Sequence, residues 1–259
     1  MRPDFPDLSV DTGGYDPLRS YWMMLLSWSL YFTGERLLER SRLLEEAGLC
    51  ERVFLSVGGI DCAILTPAGR GTSWMVLVFQ GTAEIRQWLY NVDVMPRKWA
   101  GEGLVHSGFA KALDRVWPHL KVRMREAGGP LFFTGHSLGG ALANLAAARW
   151  EGEGTAYLFG APRVGNADFG HSCEDLELWR VVLGADVVPG LPATLPGTPE
   201  RLRYRPAGEE VLLCPEEQNP DARPSTRAEF DQALKEGRPP RSLTHHAPVN
   251  YLRALGEAL

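Results

Sequence analysis

The chain is short of several things a 259-residue protein often uses. It has four cysteines, Cys50, Cys62, Cys173 and Cys214. None stands in a C-x-x-C pair, so neither a zinc site nor a disulfide scaffold is expected, and the reading is buried thiols with a Cys50 to Cys62 bridge left open. It has no basic excess: 27 Lys and Arg against 32 Asp and Glu give a formal charge of -5, with no cationic run, which argues against a nucleic-acid partner. It has no long apolar run either. The longest, "YWMMLLSWSLYF" from Tyr21 to Phe32, is about 12 residues where a spanning helix needs about 20. A helix packed on the core is expected there, with an interfacial anchor as the alternative. The first residues, "MRPDFPDLSVDTGGYD", carry acids and prolines where a secretory leader has basic and apolar stretches, and the expectation drawn from them is a cytoplasmic protein. No internal repeat is found.

With 44% hydrophobic and 23% charged residues the chain can bury one large core, and a single domain over residues 1–259 is expected, residues 1–49 forming an N-terminal helical extension. Helical spacing runs from Leu18 to Leu49 with a break at Gly34 and a stop at Gly48. The runs "RVFLSV" and "IDCAILTP" flank Gly58-Gly59 and predict a hairpin, and "SWMVLVFQG" predicts a strand covered on both faces. Strands at "LFFTG", "TAYLFG" and "LELWRVVL" then alternate with helices over 107–127 and 138–150 and a short piece near Asn166 to Cys173. Such alternation predicts an α/β fold with a mainly parallel sheet and helices on both faces. Residues 189–224 are rich in proline and acids and read as loops around a hairpin of "RLRYRP" and "EEVLLC". Helical period returns at "TRAEFDQALKEG" and "HHAPVNYLRALGEAL".

Gly135-His136-Ser137-Leu138-Gly139 fits G-x-S-x-G, between an apolar strand and a helix with Leu138, Leu142 and Leu145 on one side. That context is what a nucleophile elbow needs: a sharp turn holding the serine at the sheet edge, with helix amides free to meet a developing oxyanion. A serine needs a base and the base needs an orienting acid, in the chain order Ser, acid, His. Asp186 in "VVLGADVVPGLP" and His246 in "LTHHAPVNYL" satisfy this order; His245 fits it equally well, whereas His106, His119 and His171 precede the acid. His136 is expected to pack or to support the site.

The longer strings "VFQGT", "VHSGFAKAL", "TGHSLGGALA", "FGAPRVGN", "ADVVPGLP" and "HHAPVNYL" occur in one order from Phe79 to Tyr251. Together they resemble the class 3 lipase family, which includes the filamentous-fungal triacylglycerol lipases of α/β-hydrolase fold. The resemblance implies Ser137 as nucleophile, Asp186 as acid, His246 as base, and Thr82 with the Leu138 amide as oxyanion hole. The chain departs from the family pattern at Gln80, often Arg, and at His245, often Asp. The implied activity is a serine carboxylester hydrolase of lipase type using no metal or cofactor, acting on acyl esters or lipids, with transient contact to a lipid interface. A phospholipase, feruloyl-type esterase or acyltransferase on the same triad is the alternative, and a non-catalytic lipid-binding protein the remoter one. Ile85, Trp88 and Leu89 share one face of "AEIRQWLYNV", where fungal relatives carry a mobile lid; a fixed surface helix fits the same pattern.

Overall fold

The structure is a computed structural model, and it describes residues 2–10, 13–69, 73–82, 95–194, 196–213, 232, 236 and 241–259. The expected lid, Cys214 and "TRAEFDQALKEG" except Gln232 and Glu236 lie outside the described residues.

Two helices come first, α1 (Pro17–Ser29) and α2 (Arg36–Glu46). Asp16 caps α1, accepting from the amides of Leu18 at 2.8 Å and Arg19 at 3.1 Å, and Pro17 opens the helix where no amide partner is needed. The strands of the main sheet are β1 (Leu49–Val57), β2 (Ile60–Pro67), β3 (Met75–Phe79), then, beyond a small pair β4 (Pro96–Lys98) and β5 (Leu104–His106), β6 (Leu131–His136), β7 (Gly154–Phe159), β8 (Glu177–Leu183) and β9 (Glu209–Leu213). The order in space is β1-β2-β3-β6-β7-β8-β9, antiparallel from β1 to β3 and parallel from β3 to β9. Helices α3 (Ser107–Met124), α4 (Leu138–Arg149) and α5 (Ala167–His171) are interleaved with these strands, and α6 (Arg241–His245) and α7 (Pro248–Glu257) close the chain.

All six residues of β6 are buried, as an apolar run covered on both faces requires. Leu131 and Phe133 pack with Leu113, Leu120 and Leu142 under α3 and α4, while Phe132 packs on the other face with Met23, Leu26 and Leu255 from α1 and α7. The apolar run Tyr21 to Phe32 is therefore core: Trp22, Met23, Met24, Leu25 and Leu26 are all buried. No helix among the described residues is long and apolar enough to cross a membrane.

Two expectations change, and the bridge left open between Cys50 and Cys62 is not formed. Instead of a hairpin over 201–214, Glu209–Leu213 joins the main sheet parallel to β8, and Arg205 bridges to Gly165. The preceding Gly208 has φ +90° and comes so near Leu178 that a side chain there would collide with it, so the chain turns into the sheet rather than back on itself. Helix α4 is buried from Leu138 to Ala147, not along one stripe, because glycine and alanine let the sheet and α3 close in on every side. Cys50 and Cys62 lie opposite Thr66 and Leu55 across the hairpin and are free thiols, as is Cys173.

Burial pushes the Cys62 thiol up to about 12 and that of Cys173 to about 11. In native protein near neutral pH, iodoacetamide should therefore modify the half-buried Cys50 well before these two, with all three reacting in denaturant. Peptide mass spectrometry checks it, and early labelling of Cys62 would contradict the packing.

Candidate active site

The parallel register gathers the chemistry. Phe79, Gly135, Leu158 and Arg180 form one row across β3, β6, β7 and β8. Gly81 and Thr82, Ser137, Gly160 and Asp186 follow just past it, at the carboxyl edge where open α/β sheets bind ligands.

Ser137 turns the chain from β6 into α4 with φ 59° and ψ -123°, the one positive φ outside glycine among the described residues. Strain of about 1–3 kcal/mol at such a residue is tolerated when the surroundings over-determine it. They do so here. A Cβ on Gly135 would stand 2.2 Å from the carbonyl carbon of Gly139, and one on Gly139 2.3 Å from the carbonyl oxygen of Phe79. The first turn of α4, with Leu138, thus lies in backbone contact with the segment that leads to the half-buried Thr82.

Asp186 and His246 meet. The Asp186 Oδ2 accepts from His246 Nδ1 at 2.8 Å and from the Tyr251 hydroxyl at 2.6 Å, and Oδ1 accepts from the Val188 amide at 2.9 Å. Tyr251 accepts in turn from the Leu183 amide at 3.1 Å; burial and the adjacent Asp186 charge hold its hydroxyl well above the ordinary phenol range. His245 is half-buried and takes the Ala185 amide on Nδ1 at 3.0 Å, so the two adjacent histidines hold different parts of the same turn. Ser137 is fully buried, and its Oγ and the Nε2 of His246 are both buried polar atoms without a hydrogen-bond partner. Such atoms are costly to leave unsatisfied and are expected where a reacting group is to bind.

His136 ties these parts together. Its Nε2 donates to the His246 carbonyl at 2.8 Å, its Nδ1 lies 3.0 Å from the Tyr31 hydroxyl, and its ring centre is 4.6 Å from that of His246. Burial first, and then His246, keep it neutral far below the ordinary imidazole value of 6.5. Below that value the unfolded chain takes up a proton here that the folded protein refuses, so more protons are bound in the unfolded state and stability falls as the pH drops. The His136 contribution is full above 6.5 and lost progressively below it. Thermal midpoints measured from about pH 7.5 to 5 should fall more steeply for the wild type than for His136→Asn. Equal slopes would mean that His136 does titrate in the fold.

The other histidines do different work. His106 caps α3, accepting from the Phe109 amide at 3.4 Å, and His171 pairs with Glu174 at 2.7 Å on the surface. Sequence patterns singled out Ser137, Asp186, His246, Thr82 and Leu138 and missed Tyr31 and the bond from Tyr251 to Asp186. The tyrosine of "HHAPVNYL" was a signal for the second; nothing in the sequence pairs residues 31 and 136. The open cavities of about 650 and 750 Å³ lie at the opposite, amino edge of the sheet, around Glu209 and Trp179 and around Arg19 and Glu153, and none of their lining residues belongs to the site.

A strained serine at a strand-to-helix turn, beside a buried histidine and aspartate at the edge of a mainly parallel sheet, makes this an α/β-hydrolase fold. Solved fungal lipases share it. The Rhizomucor miehei triacylglyceride lipase aligns with a TM-score of 0.62 at 21% identity, covering 87% of this chain and 91% of that one. The lipase of Rhizopus microsporus var. chinensis aligns at 0.58 and 20%, covering 82% of each. Residues 76–195 match the family Lipase (class 3). A secreted mono- and diacylglycerol lipase of Fusarium solani is 35% identical over 168 residues, 60% of this chain and 48% of that protein. A phospholipase A1-II of Oryza sativa is 27% identical over 190 residues, 58% and 46% of the two chains. The chain spans about half the length of the curated relatives it matches.

The Fusarium relative is secreted by name, which overturns the cytoplasmic expectation. The stretch on which that expectation rested is a folded part of the domain: Phe5 stacks on Trp74, and the Asp4 carbonyl accepts from Trp22 Nε1 at 3.0 Å. A segment selected to pack against tryptophans says nothing about where the chain resides.

Proposed function

We propose that the chain is a serine carboxylester hydrolase of lipase type, its 259 residues forming one hydrolase unit. The observation that carries this is the bond from His246 Nδ1 to Asp186 Oδ2, which leaves Nε2 of the same ring unpartnered together with Ser137 Oγ. With its proton on Nδ1, His246 has a bare Nε2, the atom that accepts the hydroxyl proton as Oγ attacks an ester carbonyl. Asp186 steadies the imidazolium. The amides of Thr82 and Leu138 stabilise the tetrahedral oxyanion, each donor contributing about 3 kcal/mol in comparable sites. His246 then protonates the leaving alcohol, the acyl group stays on Ser137, and water deprotonated by His246 releases the carboxylic acid and restores the serine.

The family and the mono- and diacylglycerol lipase among its relatives support an acylglycerol or similar lipid as substrate. The phospholipase A1 relative supports a second reading, release of one acyl chain from a phospholipid. Rates on an ester series from acetate to palmitate, each below and above its solubility limit, test the class, and diacylglycerol against phosphatidylcholine in mixed micelles tests the headgroup. A rise with chain length and with emulsified substrate is expected. A rate indifferent to both would argue against a lipase.

A further inference from the structure

The proton positions around His136 can be assigned from chemistry alone. Its Nε2 faces the His246 carbonyl oxygen, which can only accept, so Nε2 carries the hydrogen. The ring lies among His246, Tyr31 and Tyr251, fully buried and, among the described residues, with no carboxylate bonded to it, so it stays neutral and Nδ1 is bare. The Tyr31 hydroxyl must then donate its hydrogen to Nδ1, which leaves its oxygen as an acceptor. The backbone of Gly81 lies against that oxygen. Gly81 has no room for a side chain: a Cβ there would collide with the Tyr31 oxygen and the His136 carbonyl oxygen. Beside it, Gln80 Nε2 donates to the Leu30 carbonyl at 2.6 Å, fastening the strand end to the residue before Tyr31.

We infer that Tyr31 and His136 are positioning residues forming one strut, from the backbone of Gly81 through the phenol and the imidazole to the main chain of His246. Resting on the hydrolase reading, the strut has two consequences. It fixes the distance between the oxyanion loop and the base, two parts carried by segments far apart in sequence. It also holds the backbone of Gly81, the residue before Thr82, against the phenol. The short segment after α1 is thereby part of the catalytic architecture, although no atom of it takes part in the reaction.

Tyr31→Phe removes the hydroxyl and keeps the ring. Its kcat on a soluble butyrate ester should fall about 10- to 100-fold, the scale of a small misplacement at a reacting centre, with KM within about twofold. His136→Asn keeps an acceptor for the phenol and withdraws the donor to His246, so it should lower kcat as well. If the two act as one strut, the double variant loses little more than the worse single one. A folded Tyr31→Phe with kcat within about twofold of wild type, or losses that multiply in the double variant, would overturn the strut. In the wild type, nitrogen NMR should find His136 protonated on Nε2 and not titrating between roughly pH 5 and 8; a titrating His136 refutes the assignment without any variant. Labelling by a fluorophosphonate separates the two levels. An unlabelled wild type sinks the hydrolase reading and the strut together, whereas a labelled wild type with an unimpaired Tyr31→Phe sinks the strut alone.

Discussion

Ser137→Ala should abolish fluorophosphonate labelling and lower kcat by about 10⁶, as loss of a serine nucleophile does elsewhere, because His246, Thr82 and Leu138 would then have no attacking oxygen to serve. The fold should hardly notice. The Oγ has no hydrogen-bond partner, so its removal breaks no bond within the protein. Alanine still has to occupy φ 59° and inherits the strain, whereas Ser137→Gly does not. The glycine variant should therefore melt higher than the alanine variant, by about 2–4 °C for each kcal/mol of strain relieved. Calorimetry of the two inactive variants thus measures how much stability the elbow gives up to hold a serine there. An alanine variant that is still labelled would remove Ser137 from the chemistry.

Asp186→Asn should cost about 10⁴ in kcat at neutral pH while leaving the substrate affinity close to that of wild type. Both oxygens of the carboxylate are engaged: Oδ2 receives both His246 and Tyr251, and Oδ1 receives the Val188 amide. An asparagine whose oxygen stays on the Val188 amide turns its NH₂ toward His246. The imidazole must then accept on Nδ1 and carry its proton on Nε2, the tautomer that cannot take a proton from serine. Nitrogen NMR of His246 should show this exchange of tautomers. An Asp186→Asn protein with near wild-type kcat would mean that another group orients the base, with His245 on the Ala185 amide the first to examine.

What could be read from the sequence followed from how local the signal was. "LFFTGHSLGGALA" states its own structure, because an unbroken apolar run fits only a strand covered on both faces and the glycines fit only a turn without room for side chains. The bond between Asp186 and His246 could be anticipated because the triad proposed here has an order along the chain as well as a geometry. Residues 201–214 misled because a five-residue strand beside a turn looks alike whether its partner is the previous segment or β8, and that choice is made by the sheet edge. Tyr31 was out of reach for a related reason. Its bond spans 105 positions, and no period or spacing connects a tyrosine after a helix to a histidine before a serine.

The first and last helices pack together on one face of the sheet, with Met23 and Leu26 of α1 in the same cluster as Tyr251 and Leu255 of α7. The proposed base stands at the foot of α7, far along the chain from the serine it serves. On the hydrolase reading, Ser137 in its elbow has no base until α7 brings His246 to Asp186. On that reading the docking of α7 against α1 is what brings the base to the nucleophile, so a contact remote from the sheet edge governs whether the site is armed.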